Sequence, residues 1–290
     1  MMSQSIVNEV INYIQKELGD NFEIKSQEIR KNNGKILNEI SLRANTNRGI
    51  ASIIYIDDLL YRGLNTQDIA KQVLLRYKSN IGTDQSFTNI QNRIKHYDKI
   101  KDGLRIVLIN KQRNKELLKE IPHMDYLDLV IVIEVAFKEE NASVTVTNNL
   151  LELWHKDSTN VMSDAMVNFH QEKSIITSDE DIFKKFIESA PSEPFVYILS
   201  NESCYKGAIR MQDELSLTLF AMKHGVDQIL IIPSSIHEIL LVPIYDESDL
   251  DINKEAINEL IREVNQNVVL LEEVLSDHCY IWKKGIGITY

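Results

Sequence analysis

Gln228-Ile229-Leu230-Ile231-Ile232-Pro233-Ser234-Ser235-Ile236-His237-Glu238-Ile239-Leu240-Leu241-Val242 holds two short apolar runs around a Pro-Ser-Ser break. Each run is too short for a helix and rich in Ile and Val, so the stretch reads as strands over Gln228–Ile232 and Ile236–Val242 joined by a turn. Helices bracket the pair. One covers Lys206–His224 and is closed by Gly225 in the C-cap position; the other covers Asn253–Leu275, before a last strand over His278–Trp282. Upstream, strands over Asp128–Phe137 and Ser143–Thr147 pair through a Glu139-Glu140-Asn141 turn. A helix over Asp157–His170 follows, with Val161, Ala165, Met166 and Phe169 on one face, and then a strand over Phe195–Leu199. Strands that arrive in pairs between helices predict an α+β fold, not a strictly alternating parallel one.

The N-terminal part repeats the theme. Ile6, Val7, Val10, Ile11, Ile14 and Leu18 recur at helical spacing, and Gly19 stands where that helix stops. Asn32-Asn33-Gly34 is a hairpin signal between Phe22–Lys25 and Lys35–Leu42, and Ile50–Ile56 is a third strand. Asn65-Thr66 offers a cap to a helix over Asp68–Tyr77. Leu104–Ile109 reads as a strand inside a basic stretch.

Of 290 residues, 43% are hydrophobic and 26% charged, the balance of a globular chain with room for a core. The net charge of −11 is unevenly placed. Residues 1–115 carry 19 Lys and Arg against 12 Asp and Glu, and residues 116–290 carry 13 against 31. The expected organisation is therefore two lobes, basic over 1–117 and acidic over 118–290, each a small, mostly antiparallel sheet with packed helices. Met1–Glu9 has no basic or apolar signal-like region, and no apolar run approaches the ~20 residues of a membrane span. With Cys204 and Cys279 the only cysteines, a disulfide scaffold and a Cys-based zinc site are excluded. The expected compartment is the cytoplasm.

Chemistry-bearing residues fall in three places. Ser234, Ser235, His237 and Glu238 gather hydroxyls, an imidazole and a carboxylate at the turn between the two apolar strands. That permits a pocket with His237 as acid or base and a serine as nucleophile. In a strand, His237 and Glu238 would point to opposite faces, so a catalytic acid for His237 would have to come from elsewhere. The bland reading is a structural turn whose hydroxyls satisfy backbone groups. His123, Asp125 and Asp128 form a second cluster, able to hold a divalent cation or simply to cap a turn. Arg93, Lys95, Lys99, Lys101, Lys111 and Arg113 make up a basic segment suited to phosphate contact, although Tyr97 is the only aromatic within it to stack on bases. A solvated face, or one turned toward the acidic lobe, explains the same charges.

Several signatures are missing. Gly285-Ile286-Gly287 lacks a third glycine, Gly-Lys-Ser/Thr and Gly-x-Ser-x-Gly do not occur, and Leu241 stands where His-Glu-x-x-His needs its second histidine. Asp20 with Glu23-Ile24-Lys25 is too tightly spaced for a nuclease arrangement. No cofactor and no metal are expected.

Five phrases together resemble a known family. They are Ile109-Asn110-Lys111-Gln112-Arg113-Asn114-Lys115-Glu116-Leu117-Leu118, Pro122-His123-Met124-Asp125-Tyr126-Leu127-Asp128-Leu129, Tyr197-Ile198-Leu199-Ser200-Asn201, Ile231-Ile232-Pro233-Ser234-Ser235-Ile236-His237-Glu238 and Glu273-Val274-Leu275-Ser276-Asp277. In this order they resemble the bacterial family catalogued as domain of unknown function 5688. The resemblance covers most of the chain and is strongest from residue 105 onward. It implies a cytoplasmic protein of mixed α and β structure and brings no activity with it. Met124 departs from the basic residue expected after the histidine, which weakens an ion-binding reading there. The expected role is a non-enzymatic binding or interaction module that uses the acidic lobe and a protein partner. A hydrolase-like pocket at Ser234, Ser235 and His237, and nucleic-acid contact through residues 93–115, stand as alternatives.

Overall fold

The computed structural model describes residues 4–45, 52–80, 84–139, 142–178, 196–245 and 254–290. Residues 50 and 51 of the expected third strand, Glu140 and Asn141 of the expected turn, Phe195 of the expected strand and Asn253 of the expected helix lie outside them. In chain order the elements are α1 (Gln4–Leu18), β1 (Phe22–Arg30), β2 (Ile36–Ala44), β3 (Ser52–Tyr55), α2 (Asp57–Tyr61), α3 (Thr66–Asn80), α4 (Asp84–Ile94) and α5 (Tyr97–Ile100). Then come β4 (Leu104–Asn110), β5 (His123–Tyr126), β6 (Leu129–Phe137), β7 (Ala142–Thr145), α6 (Asn148–Trp154), α7 (Ser158–Gln171), β8 (Ser174–Ser178) and β9 (Tyr197–Asn201). The last are α8 (Glu214–His224), β10 (Gln228–Pro233), β11 (Ile239–Ile244), α9 (Lys254–Asn267), β12 (Tyr280–Lys283) and β13 (Gly287–Thr289).

The chain is α+β and divides into two compact units. The first comprises Met1–Lys31, Lys35–Lys99 and Phe137–Asn141, and the second Asn32–Gly34, Ile100–Ala136 and Ala142–Tyr290. This grouping falls earlier than the charge boundary at 117/118. The reason is β4, which pairs along its whole length with β6, from Leu104↔Val135 to Asn110↔Leu129.

In the first unit, β1, β2 and β3 form an antiparallel sheet in that order. The Asn-Asn-Gly signal behaves as expected: β1 and β2 pair from Phe22↔Ala44 to Arg30↔Ile36, and the turn places Asn33 and Gly34 at φ 57° and 71°. Asn and Gly tolerate that left-handed conformation best. Alternation along β2 turns Ile40 and Leu42 toward Ile54 of β3, and α1 covers them with Val7, Val10 and Ile14, joined by Ile69 and Val73 of α3. Burying each such side chain contributes about 1.5–3 kcal/mol.

The second unit holds two sheets where one was expected. One runs β13-β12-β10-β11-β9-β8, antiparallel throughout, and the other runs β4-β6-β5 with β7 also on β6. Strand β6 is buried at nearly every position, so its sequence Leu129–Phe137 shows no alternation beyond Glu134. On one side of its sheet Val107, Ile109, Ile121, Val130 and Val132 pack together. Helix α7, capped by the Asp157 carboxylate on the Thr159 and Asn160 N–H groups, buries Val161, Ala165 and Phe169.

Three expected elements are corrected. The helix expected over Lys206–His224 is broken: Gly207–Gln212 is a 3-10 segment, and α8 begins only after Asp213, whose carboxylate accepts from the Ser216 N–H. The helix expected to run to Leu275 stops at Asn267; beyond it the carbonyls of Leu271, Val274, Leu275 and Ser276 accept from the side-chain amides of Asn33, Asn110 and Asn265. The second strand of the opening stretch starts at Ile239, three residues later than read, so His237 and Glu238 precede it and strand alternation does not set their directions.

Candidate functional site

The His237 loop is held by bonds to three neighbouring segments and within its own turn. The Lys206 N–H donates to His237 Nδ1 at 3.0 Å, and His237 Nε2 faces Glu273 Oε1 at 3.4 Å. An accepting Nδ1 carries no proton, so the ring proton lies on Nε2, toward the carboxylate. The His237 carbonyl accepts from the Gly207 N–H at 2.9 Å and Ser200 Oγ at 2.8 Å, and the Ile236 N–H donates to the Glu273 carbonyl at 2.8 Å. Gly207 is required here. A Cβ on it would lie 2.2 Å from Ser200 Oγ and 2.6 Å from the Asn201 nitrogen. Ser235 Oγ accepts the His237 N–H at 3.0 Å, and Ser234 Oγ donates to Glu238 Oε1 at 3.5 Å. The structure therefore brings His237 to Glu273 and to Tyr205, whose ring centroid is 5.0 Å away, while the two serines serve the turn.

Behind this loop lies a buried ion cluster that sequence reasoning missed. Glu134, 7% exposed at its side chain, accepts from Arg105 Nη2 at 2.9 Å and from Lys206 Nζ. Burial works to raise the Glu134 carboxyl, but the two cations outweigh it and hold it below the usual carboxylate range. Arg105 and Lys206 also sit 5.1 and 5.4 Å from the Tyr205 ring centroid. The one visible signal was an acid interrupting an otherwise apolar strand.

The second cluster does not stay together. His123 Nδ1 lies 3.0 Å from the Ile121 carbonyl, and Asp125 pairs with Lys111 at 2.8 Å. Asp128 is taken by the C-terminal strand region: His278 Nε2 is 2.9 Å from its Oδ2, and the Tyr280 hydroxyl donates to its Oδ1 at 2.8 Å. Among the described residues no group of three His, Cys, Asp or Glu is placed to hold a metal ion.

His278 Nδ1 also lies 3.0 Å from the Cys279 carbonyl, so both ring nitrogens face acceptors and the imidazolium satisfies both. The Asp128 hydrogen bond raises the His278 pKa from 6.5, against burial and the Lys254 charge. Burial tends to raise Asp128, but His278 and Tyr280 together bring it below 3.8. A raised histidine contributes stability that is complete below its unfolded value and lost as pH rises through its folded one. A lowered aspartate contributes stability present above its unfolded value and lost as pH falls. The pair is thus expected to stabilise the chain between about pH 4 and 7 by roughly 1 kcal/mol, or about 2–3 °C in Tm. Thermal unfolding of the native chain and His278→Gln across pH 4–9 checks this. The gap between the two must narrow on the alkaline side, and a constant gap would count against the pairing.

The second unit has an open depression of about 330 Å³ lined by Arg113, Arg262, Asn265, Gln266, Val269, Leu271 and Asp277. Arg113 Nη2 reaches both Asp277 oxygens, at 3.0 and 2.7 Å, and Asn265 Nδ2 donates to Asp277 Oδ1 at 2.9 Å. Burial would raise the Asp277 carboxyl, yet Arg113 and Asn265 hold it low. Arg262 reaches from α9 and pairs with exposed Glu255 at 2.6 Å.

Buried amides fix the floor. Asn33 Nδ2 donates to the carbonyls of Leu271 and Val274, both at 2.7 Å, Asn110 Nδ2 to Leu275 at 3.0 Å, and Asn265 Nδ2 to Ser276 at 2.9 Å. Asn114 ties these donors together. Its Oδ1 accepts the Asn33 N–H at 2.8 Å, and its Nδ2 reaches Asn32 Oδ1, Asn33 Oδ1 and the Asn110 carbonyl at 2.8, 3.0 and 2.8 Å.

The basic segment is distributed. Arg93, Lys95 and Lys99 belong to the first unit, with Arg93 5.1 Å from the Phe137 ring centroid and both lysines exposed. Lys101, Lys111 and Arg113 belong to the second, where they pair with Asp164, Asp125 and Asp277 at 2.9, 2.8 and 2.7 Å. No helix among the described residues is long and apolar enough to cross a membrane.

Fold and site together define an antiparallel α+β protein whose polar cleft rests on a buried amide network. The five phrases that carried the resemblance contribute Asn110, Arg113, Asn114, Asp128, Ser200, His237, Glu273 and Asp277 to the contacts just described. The chain belongs to DUF5688, a family of unknown function, whose sequence profile matches residues 3–284. It matches no functionally curated protein and no solved structure.

Proposed function

We propose that the second unit is a non-enzymatic binding module whose cleft takes a small ligand bearing a carboxylate or phosphate group. The observation that carries this reading is the lining itself. Two guanidinium groups and two carboxamides border the opening against one carboxylate; Arg113 is neutralised by that Asp277, and Arg262 pairs with the exposed Glu255, which an incoming anion can displace. Arginine presents fixed, planar donors that match such anions, and Val269 and Leu271 offer apolar contact beside them. By contrast His237 and His278 spend their ring nitrogens on the fold, which supports binding over acid–base chemistry. The pairing of Lys101, Lys111 and Arg113 with carboxylates favours internal neutralisation over phosphate-backbone contact as the use of the basic segment.

Inorganic phosphate and acetate, each compared with chloride at equal ionic strength, are the probes. Ligand at one hundred times its Kd stabilises by about 2.7 kcal/mol, so a saturable rise in Tm is expected, and Arg262→Gln must remove it. A rise that survives in Arg262→Gln, or no rise with either anion, would refute the assignment.

A further inference from the structure

Asn33-Gly34 is the single Asn-Gly pair in the chain. An asparagine before glycine is chemically unstable, because no Cβ shields the glycine nitrogen and the permissive backbone lets it reach the preceding carboxamide. Here that carboxamide is fully engaged. Asn33 is 7% exposed, its Nδ2 donates to the Leu271 and Val274 carbonyls, and its Oδ1 accepts from Asn114 Nδ2 at 3.0 Å. Its backbone, at φ 57° and ψ 27°, sets the Gly34 nitrogen on the far side of the Cα–C bond from Cβ. Closing a ring between that nitrogen and the side chain needs the two nearly eclipsed. Both ψ and the side chain must therefore turn, and every one of these hydrogen bonds opposes the rotation.

We propose that Asn33 is a self-modification site kept intact by the amide network: it deamidates only when residues 271–274 release its side chain, and the product cannot be taken back. The Gly34 nitrogen gives its proton to hydroxide and bonds to Asn33 Cγ. The Cγ–Nδ2 bond breaks, and the departing nitrogen takes a proton from water and leaves as ammonia. Water then opens the cyclic imide at one of its two carbonyls, which yields aspartate or isoaspartate. Either product replaces the two donors aimed at Leu271 and Val274 with an anionic oxygen, and burying a carboxylate against carbonyl oxygens is unfavourable. The network thus forms a one-way latch on residues 271–274, in which an opening that lasts long enough becomes permanent.

Peptide mapping by mass spectrometry of the full chain, incubated at mildly alkaline pH, reads the amide-to-acid conversion at Asn33 and its isoaspartyl fraction. Modification of a transiently opened segment tracks the population of the open form, so conversion must be at least about 100-fold slower in the folded chain than in the same chain unfolded in urea. Asn114→Ala leaves the Asn33-Gly34 sequence untouched and must speed conversion by roughly 30-fold, with circular dichroism confirming that the variant is folded. Where that variant does not fold, the native chain in urea below its unfolding transition decides: conversion must rise in parallel with amide exchange at residues 271–276. Asn33→Asp, the product made directly, must show fast exchange over the same segment. Conversion of the folded chain at the unfolded rate, a folded Asn114→Ala chain that converts no faster than native, conversion that does not follow exchange at 271–276, or native-like exchange there in Asn33→Asp would overturn the proposal.

Discussion

Replacing Glu134 by Ala is expected to destabilise the folded chain by about 3–5 kcal/mol, the usual result of removing one partner from a buried ion pair. The carboxylate answers two cations at once, Arg105 on β4 and Lys206 in the turn before the 3-10 segment. Without it both cations remain, part-buried, beside the Tyr205 ring. Lys206 has a second connection, because its N–H fixes His237 Nδ1. Loss of Glu134 should therefore loosen the His237 loop as well as lower stability. Glu134→Gln retains shape and hydrogen-bonding capacity but not charge, and should fall between native and Ala. Urea unfolding measures all three. A midpoint for Glu134→Ala within 1 kcal/mol of native would contradict the account.

The second large effect is expected at Asn114. Its side-chain nitrogen shares two N–H donors among three oxygens, and its side-chain oxygen accepts a main-chain N–H. Asn114→Asp keeps the shape and replaces that donor with an anionic oxygen facing three acceptors. Asn114→Ala merely leaves the surrounding groups unsatisfied. The alanine variant should lose about 2 kcal/mol and the aspartate variant roughly 3–4. Since Asn33 and Asn110 hold residues 271–277, amide exchange across that segment should speed up in both variants while β4 and β6 stay protected. Equal losses in the two variants would show that the donor pattern is not what matters there.

These two sites also mark where sequence reasoning stopped. The N-terminal helix, the β1–β2 hairpin and the strand pair around Pro233 were legible because their causes are local: apolar spacing, an Asn-Asn-Gly turn and runs of Ile and Val. The break before α8 was hidden because Asp213 reads as an ordinary helical acid until its carboxylate is seen accepting from Ser216. The end of α9 was hidden for a different reason. The amides that hold residues 271–276 in a non-helical path come from Asn33 and Asn110, 238, 241 and 165 positions away from the carbonyls they reach.

The same limit applies to the candidate site. The sequence points to His237 through its turn neighbours, but its partner Glu273 lies outside the turn. Asp128 was grouped with its neighbours His123 and Asp125, whereas its partner His278 is 150 positions on. Arg262, Asn265 and Gln266 gave no signal, because a cleft shared by one helix and two loops has no sequence motif. Among the cleft residues, Arg113 stands out in the sequence for its charge and within one of the five phrases, and Asp277 within another.

The most direct measurement is a titration of the full, ¹⁵N-labelled chain with inorganic phosphate, followed through the arginine side-chain Nε–Hε resonances and the Asn and Gln amides. The account predicts saturable shifts at Arg262, Gln266 and Asn265, smaller ones at Arg113, and none in the Arg262→Gln chain. Shifts spread evenly over exposed Lys and Arg, or a cleft that stays silent while the rest of the spectrum moves, would contradict it.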